Sequence, residues 1–220
     1  ATLFETDCLA GIVLEAPRPG PGFPTFEPFE ALRDEYEKTY FFQNEVPQFS
    51  DLADIHVTDS VNSSQTRAWL GQISPEVIVV FGTRRLSSGT ILIPSRACLN
   101  LHGGNPEMYR GLDSHYWTIY HSDFDNLVTT LHHIDQTYDT GPIVLSEKIQ
   151  IAQGMGIHQV RSANTESCLR IFLDTFDSLS NERQIPAVPQ MSKGRYYSAM
   201  PSVLKSDCKR KFDQFTQQLS

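Results

Sequence analysis

The sequence predicts an α/β fold whose sheet is parallel at first and mixed toward its end, and three observations carry that prediction. Short apolar runs that read as buried strands recur along the chain. Helical segments with a polar face lie between them, and the linking stretches are rich in Gly, Pro and Asn.

The first run, LAGIVLE at residues 9–15, ends at the breaker cluster PRPGPGFP and reads as a buried strand. Residues 26–42 set aromatics at helical spacing among charges, which predicts an amphipathic helix inserted after that strand. A short strand follows at 55–57. Ser63 and Ser64 are placed to cap a helix that runs to Ile73, because a hydroxyl there accepts from first-turn amides, and Pro75 stops it. EVIVVFG at 76–82 is the clearest strand, β-branched throughout and closed by a glycine. ACLNLH after Pro94 is the next, and the strands LVTTLHHI and PIVLSEKIQI flank a turn at 138–141. A helix is expected over 165–180, and the tail beyond Pro186 carries KGRYY and a charged last helix. Residues 1–155 are accordingly read as a core and 156–220 as a short C-terminal helical extension.

The 220 residues carry a net charge of −8, which disfavours binding nucleic acid through phosphate neutralisation. The balance of 40% hydrophobic to 20% charged residues belongs to a globular chain long enough to hold a core without disulfides or metal. Cys8, Cys98, Cys168 and Cys208 lie far apart with no CxxC pair, and are read as reduced thiols of a cytoplasmic protein. No apolar run approaches the roughly 20 residues that span a bilayer.

Two clusters stand out chemically. Asn100 and His102 end a predicted strand and, being two apart, share a face, so a carboxamide and an imidazole converge on one substrate oxygen. The second is HHIDQTYDTGPIV at 132–144. Its single DTG supplies one carboxylate where an aspartic protease needs two, and the α/β pattern argues against the homodimer that would pair two of them. Adjacent His132 and His133 on a strand face opposite ways, which argues against one metal ion held by them with Asp135 or Asp139.

Together, NLHGGNPEMYRG at 100–111 and the downstream HHIDQTYDTGPI segment resemble the signature of the formyltransferases that use 10-formyltetrahydrofolate, with the sugar N-formyltransferases most similar in size. The preceding VNSSQTRAWLGQISPEVIVVFGTRRL extends the likeness, which covers about residues 60–150. The resemblance implies a Rossmann-like core with a mixed, mainly parallel sheet and a short C-terminal extension. It places Asn100, His102 and Asp139 as the catalytic trio. It implies that the folate lies along Gly82, Thr83, Arg84, Arg85 and Leu86, and along His132, Ile134, Asp135, Gln136, Thr137 and Tyr138. Arg110, Tyr116 and Trp117 fall on the acceptor side. Two departures accompany it: Gly103-Gly104-Asn105-Pro106 replaces the family's Ser-Leu-Leu-Pro, and the chain starts near the family's second strand, without the first strand and its nucleotide-binding turn.

The residue types suit such a transfer. An amine attacking a formamide-like carbon creates an oxyanion and an ammonium. Asn100 is expected to donate to the oxyanion, protonated His102 to assist it or the leaving nitrogen, and Asp139 to keep His102 charged and take up the proton. The formyl donor is then 10-formyltetrahydrofolate, with no metal. The expected acceptor is a nucleotide-linked (dTDP) 4-amino-4,6-dideoxy sugar, ahead of glycinamide ribonucleotide, a hydroxylated ornithine or water. A non-catalytic folate or nucleotide binder is the rival of another class. No nucleic-acid or membrane partner is expected, and the basic, aromatic tail points to a homodimer.

Overall fold

The computed structural model describes residues 8–17, 19–179 and 185–219. In chain order these form β1 (Ile12–Glu15), α1 (Phe29–Phe42), β2 (Ile55–Thr58), α2 (Ser64–Ile73), β3 (Val77–Val80), the short α3 (Ser88–Ile91) and β4 (Ala97–His102). They continue as β5 (Tyr109–Gly111), α4 (Ser114–Tyr120), β6 (Val128–His133), β7 (Ile143–Lys148), α5 (Val160–Leu179), β8 (Arg195–Tyr197) and α6 (Ser202–Gln217). The architecture is α/β with a mixed sheet, as the sequence predicts.

Local chemistry sets the boundaries. Ser63 caps α2 by accepting from the Thr66 amide at 3.0 Å, and the helix ends where Ser74 turns left-handed ahead of Pro75. The helix expected over 165–180 begins earlier, at Val160. A 3₁₀ turn at Ile157–Gln159 leads into it, with the Gln159 side chain accepting from the Gly156 amide at 2.9 Å. Ser180 lies outside the described residues.

The main sheet has the order β3-β4-β6-β7: β3 and β4 run parallel (Val77 opposite Ala97), and β4–β6 and β6–β7 are antiparallel. Parallel strands β1 and β2 form a separate pair in which Ile12 faces Ile55. Among the described residues β1 pairs only with β2 and β3 only with β4, and every residue of β1 and β3 is half-buried. Val13 of β1 nevertheless packs with Val61, Ile78, Val80 and Leu86 in one apolar cluster. The central strands β4 and β6 are each buried at four of six residues, and Leu99 of β4 meets Leu131 of β6 and Ile171 of α5.

The tail is more than helical. Residues 195–197, part of the KGRYY motif, form β8, which lies parallel to β5 with Arg110 opposite Tyr196. Gly111 permits this pairing: its φ is +96°, and a Cβ there would stand 2.2 Å from the Tyr197 carbonyl oxygen. Helix α6 then returns to the body. Its Cys208 and Phe212 join Phe29, Tyr116, Ile119, Leu127, Ile157, Val160 and Met200 in the largest cluster of buried side chains, which unites residues from both halves of the chain.

Candidate active site

Strand β4 carries its last residues to the rim of a cleft of about 370 Å³. Its alternation sends Asn100 and His102 to the same side, and the turn after β6 brings Asp139 back to meet them. Asp139 Oδ1 accepts from Asn100 Nδ2 at 3.2 Å and stands 3.8 Å from His102 Nδ1, while Oδ2 accepts from the Gly111 amide at 2.8 Å. The three residues named from sequence thus form one group around a single carboxylate. Asp139 adopts the left-handed region, with φ of +52°, a conformation asparagine and aspartate tolerate better than most residues.

Burial works to raise the Asp139 pKa, but the His132 and His102 rings and the Gly111 amide outweigh it and hold the carboxyl at about 2. It is ionised at neutral pH. His102 behaves differently from the expectation of a protonated ring. It is buried but for a small face on the cleft, burial lowers its pKa, and the pull of Asp139 does not restore it. His102 Nε2 is 2.9 Å from the Tyr109 carbonyl, which can only accept, so Nε2 carries the proton and the Nδ1 lone pair faces Asp139. The resting His102 is a neutral base poised beside a carboxylate. As pH falls below the ordinary histidine value near 6.5, the unfolded chain takes up a proton that the folded chain refuses, so this group subtracts stability in acid. Nitrogen-labelled histidine NMR, assigned with a His102→Asn variant, is expected to show an Nε2–H ring titrating below 6.5; a ring still charged at pH 7 would overturn this account.

Neighbouring side chains fix the trio. His132 Nδ1 donates to the His133 carbonyl at 2.8 Å, leaving Nε2 to accept from Asn100 Nδ2 at 3.1 Å. A register irregularity between Leu131 and His132 in the β6–β7 pairing sits at this point. His115 is neutral too, its pKa pushed down to about 4 by burial, and its Nε2 donates to the Val128 carbonyl at 2.8 Å. Gly104 explains part of the altered loop: a Cβ there would lie 2.8 Å from the Ser114 side chain and 3.1 Å from His102 Nε2. The loop can lie this close to the base because residue 104 has no side chain.

Of the residues expected on the donor side, Gly82, Thr83 and Tyr138 line the cleft. His132 lies behind Asn100. Arg84 reaches back to the Ala16 and Asp59 carbonyls, and the Arg85 carbonyl accepts from Asn62. Leu86 and Ile134 belong to the apolar cluster beneath β1, Asp135 is bonded by Thr137 and Thr140, and Gln136 reaches Ser88. On the acceptor side Tyr116 lines the cleft. Arg110 is instead spent on the Gly194 and Tyr138 carbonyls, and Trp117 stacks on Tyr197 and donates to the Ser198 carbonyl. Arg33, Asp113, Arg161 and Tyr196 also line the cleft and were not singled out from sequence; the RYY motif was the one signal for Tyr196. Burial raises Cys98, Cys168 and Cys208 to about 12, so none supplies a thiolate at neutral pH. Among the described residues no three His, Cys, Asp or Glu side chains converge as a metal site.

The formyl transferase family model matches residues 37–173, more than half of the chain, and takes in Asn100, His102 and Asp139. The chain belongs to the formyl transferase family. It is 31% identical over 139 residues to the methionyl-tRNA formyltransferase of Thermosynechococcus vestitus, a stretch covering 63% of this chain and 40% of that protein. With its Porphyromonas gingivalis counterpart it shares 27% identity over 158 residues, 71% of this chain and 48% of that one. This formyl transferase chain therefore spans less than half the length of these curated relatives. Among solved structures it resembles the formyltransferase PseJ of Anoxybacillus kamchatkensis, described in complex with UDP-4,6-dideoxy-4-formamido-L-AltNAc and tetrahydrofolate. The TM-score is 0.55 at 19% identity, with 86% of each chain covered. A sugar N-formyltransferase from Shewanella gives 0.53 at 10% identity, covering 93% of this chain and 88% of that one. At these identities the likeness is one of fold. No described helix is long and apolar enough to cross a membrane.

Proposed function

We propose that this chain carries the catalytic site of a 10-formyltetrahydrofolate-dependent N-formyltransferase whose acceptor is the primary amine of a nucleotide-linked (dTDP) 4-amino-4,6-dideoxy sugar. The observation that carries the reading is the grouping of Asn100 and His102 around ionised Asp139 in one cleft of a formyl transferase family member. The net charge of −8 favours a small acceptor over a tRNA.

The residues present suit a flat donor with a polar edge. The Tyr138 and Tyr196 rings, with centroids 5.5 Å apart, give the cleft an aromatic wall, and Gly82 leaves open space at the end of β3. When bound, such a folate supplies an activated one-carbon acyl group. Asn100 is held in place by His132 and by the Asp139 carboxylate, and turning one N–H from Asp139 to the developing oxyanion trades one anionic acceptor for another that forms only as the reaction proceeds. His102 Nδ1 accepts the proton that the attacking amine must lose, directly or through one water. The imidazolium so formed faces Asp139 at 3.8 Å, which offsets the cost of charging a buried ring. The proton then returns to the leaving nitrogen. No covalent adduct with the chain is needed.

The direct test is conversion of 10-formyltetrahydrofolate to tetrahydrofolate by the purified chain, with arms containing dTDP-amino sugars, glycinamide ribonucleotide, methionyl-tRNA or no amine. Turnover with the amino sugars that disappears in His102→Ala supports the proposal. Turnover without amine would make the protein a hydrolase, and turnover confined to methionyl-tRNA would move the acceptor to the tRNA class named in the curated relatives. A folded chain with no turnover in any arm would leave a binding role.

A further inference from the structure

A cluster of charges borders one wall of the cleft. Helix α1 supplies Glu30, Arg33, Asp34 and Glu37, α5 supplies Arg161, and α6 supplies buried Lys205. Asp34 Oδ1 joins the two guanidiniums, accepting from Arg33 Nε at 3.0 Å and Arg161 Nη2 at 2.7 Å. Glu37 holds Arg161 through Nε at 2.7 Å and through Nη2, while Glu30 takes Arg33 Nη1 at 3.0 Å and both its oxygens accept from Lys205. Three cations thus meet three anions, and as a mere ion-pair network the group would be neutral. What matters is which members reach the cleft. Arg33 and Arg161 line it; Glu30, Asp34, Glu37 and Lys205 do not. The carboxylates hold both guanidiniums at the cleft wall: Arg33 is engaged through all three of its nitrogens, whereas Arg161 keeps Nη1 uncommitted.

Arg161 makes the case strongest. Its Nε and Nη2 are committed, whereas Nη1 has no hydrogen bond to any described residue, and its side chain keeps 41% exposure. Arg33 is packed more tightly and donates to the Tyr116 hydroxyl, another residue of the cleft wall, at 3.3 Å. Asp113 on the same wall directs Oδ2 to the Met200 amide at 2.8 Å, with Lys205 3.9 Å away. In a chain of net charge −8, two anchored guanidiniums on one wall of a catalytic cleft do not follow from a basic surface.

We infer that Arg33 and Arg161 form an oxyanion-binding subsite that reads a phosphate or carboxylate group of the acceptor and so selects acidic acceptors. Arginine suits this role because its fixed, planar donors match an oxyanion and its orientation here is set before binding. The inference rests on the transferase reading for the identity of the ligand as acceptor, but anion binding can be measured without any turnover.

The experiment is calorimetric titration of the full chain with inorganic pyrophosphate and, separately, malonate, alongside acceptor kinetics. Arg161→Ala is the principal variant, because Arg33 is too enmeshed to be removed safely, and Lys148→Ala, a well-exposed lysine paired to Asp125, is the control. The wild type is expected to bind at least one anion, Arg161→Ala to bind it at least tenfold more weakly, and Lys148→Ala to bind it unchanged. Arg161→Lys, which keeps the charge and loses the fork, should fall between. Preference for pyrophosphate assigns a phosphate-bearing acceptor and preference for malonate a carboxylate. In turnover, the KM for the acidic acceptor should rise at least tenfold in Arg161→Ala, with kcat and the KM for the formyl donor within threefold. No anion binding by the folded wild type, or equal binding by Arg161→Ala, overturns the subsite. Anion binding that depends on Arg161 with no formylation of any amine would sink the transferase reading instead.

Discussion

Replacing Asp139 with asparagine is expected to lower kcat/KM for formyl transfer about 1000-fold or more, the range associated with losing a proton-handling partner or an aligned electrostatic group. Three functions rest on that carboxylate. It braces Asn100, it accepts the Gly111 amide, and in the proposed mechanism it is the counter-charge 3.8 Å from a protonated His102. Asparagine keeps the shape and the tolerance for φ of +52° but supplies no charge, so His102 becomes a still weaker base. The same substitution reports on stability. With a folded pKa of about 2 against an ordinary 3.8, the wild-type carboxyl contributes about 2 kcal/mol, fully present above pH 4 and lost as pH falls through 2. Acid unfolding of Asp139→Asn should lack that segment of the pH dependence. A loss of activity below tenfold would remove Asp139 from the proton path.

The second large effect lies away from the cleft. Phe212→Ala is expected to cost about 3–5 kcal/mol, seen as a lower urea midpoint with an unchanged slope. Phe212 has no exposed surface and sits among Phe29 of α1, Tyr116 and Ile119 of α4, and Ile157 and Val160 at the start of α5. Those elements carry Arg33, Tyr116 and Arg161 to the cleft wall. Next to it, the Cys208 thiol donates to the Tyr116 carbonyl at 3.2 Å, and the buried Lys205 ammonium holds Glu30. The last helix therefore clamps the wall, and a truncation that deletes it should damage binding as well as stability. A cost below 1 kcal/mol would show α6 to be a peripheral attachment.

The sequence revealed what local rules govern. The α2 cap at Ser63 and stop before Pro75 follow from neighbouring residues, and the shared direction of Asn100 and His102 follows from the two-residue period of a strand. The resemblance of two separated motifs named Asp139 as their partner, and the structure brings it within hydrogen-bonding distance of Asn100. What stayed hidden depends on distant pairing. Strand β8 is three residues long and exists because Tyr109 and Arg195 meet across the fold, a register no local pattern encodes. Arg33 and Arg161 become neighbours only when α1 packs beside the start of α5, and on a helical wheel each reads as one solvated charge among several. The charge state of His102 was also beyond the sequence, because enclosure, not residue type, sets it.

The divided sheet has a practical consequence. Ile12–Glu15 and Val77–Val80 are short apolar strands that each use one edge, and among the described residues their other edges carry no ladder. Unpaired backbone donors and acceptors beside Val and Ile side chains are a template for pairing with foreign strands, and neither segment bears the lysine, proline or bulge that commonly blunts such an edge. Such edges favour self-association at high concentration, and on β3 the exposed ladder lies beside the candidate site, because Val80 stands opposite Asn100 in the sheet.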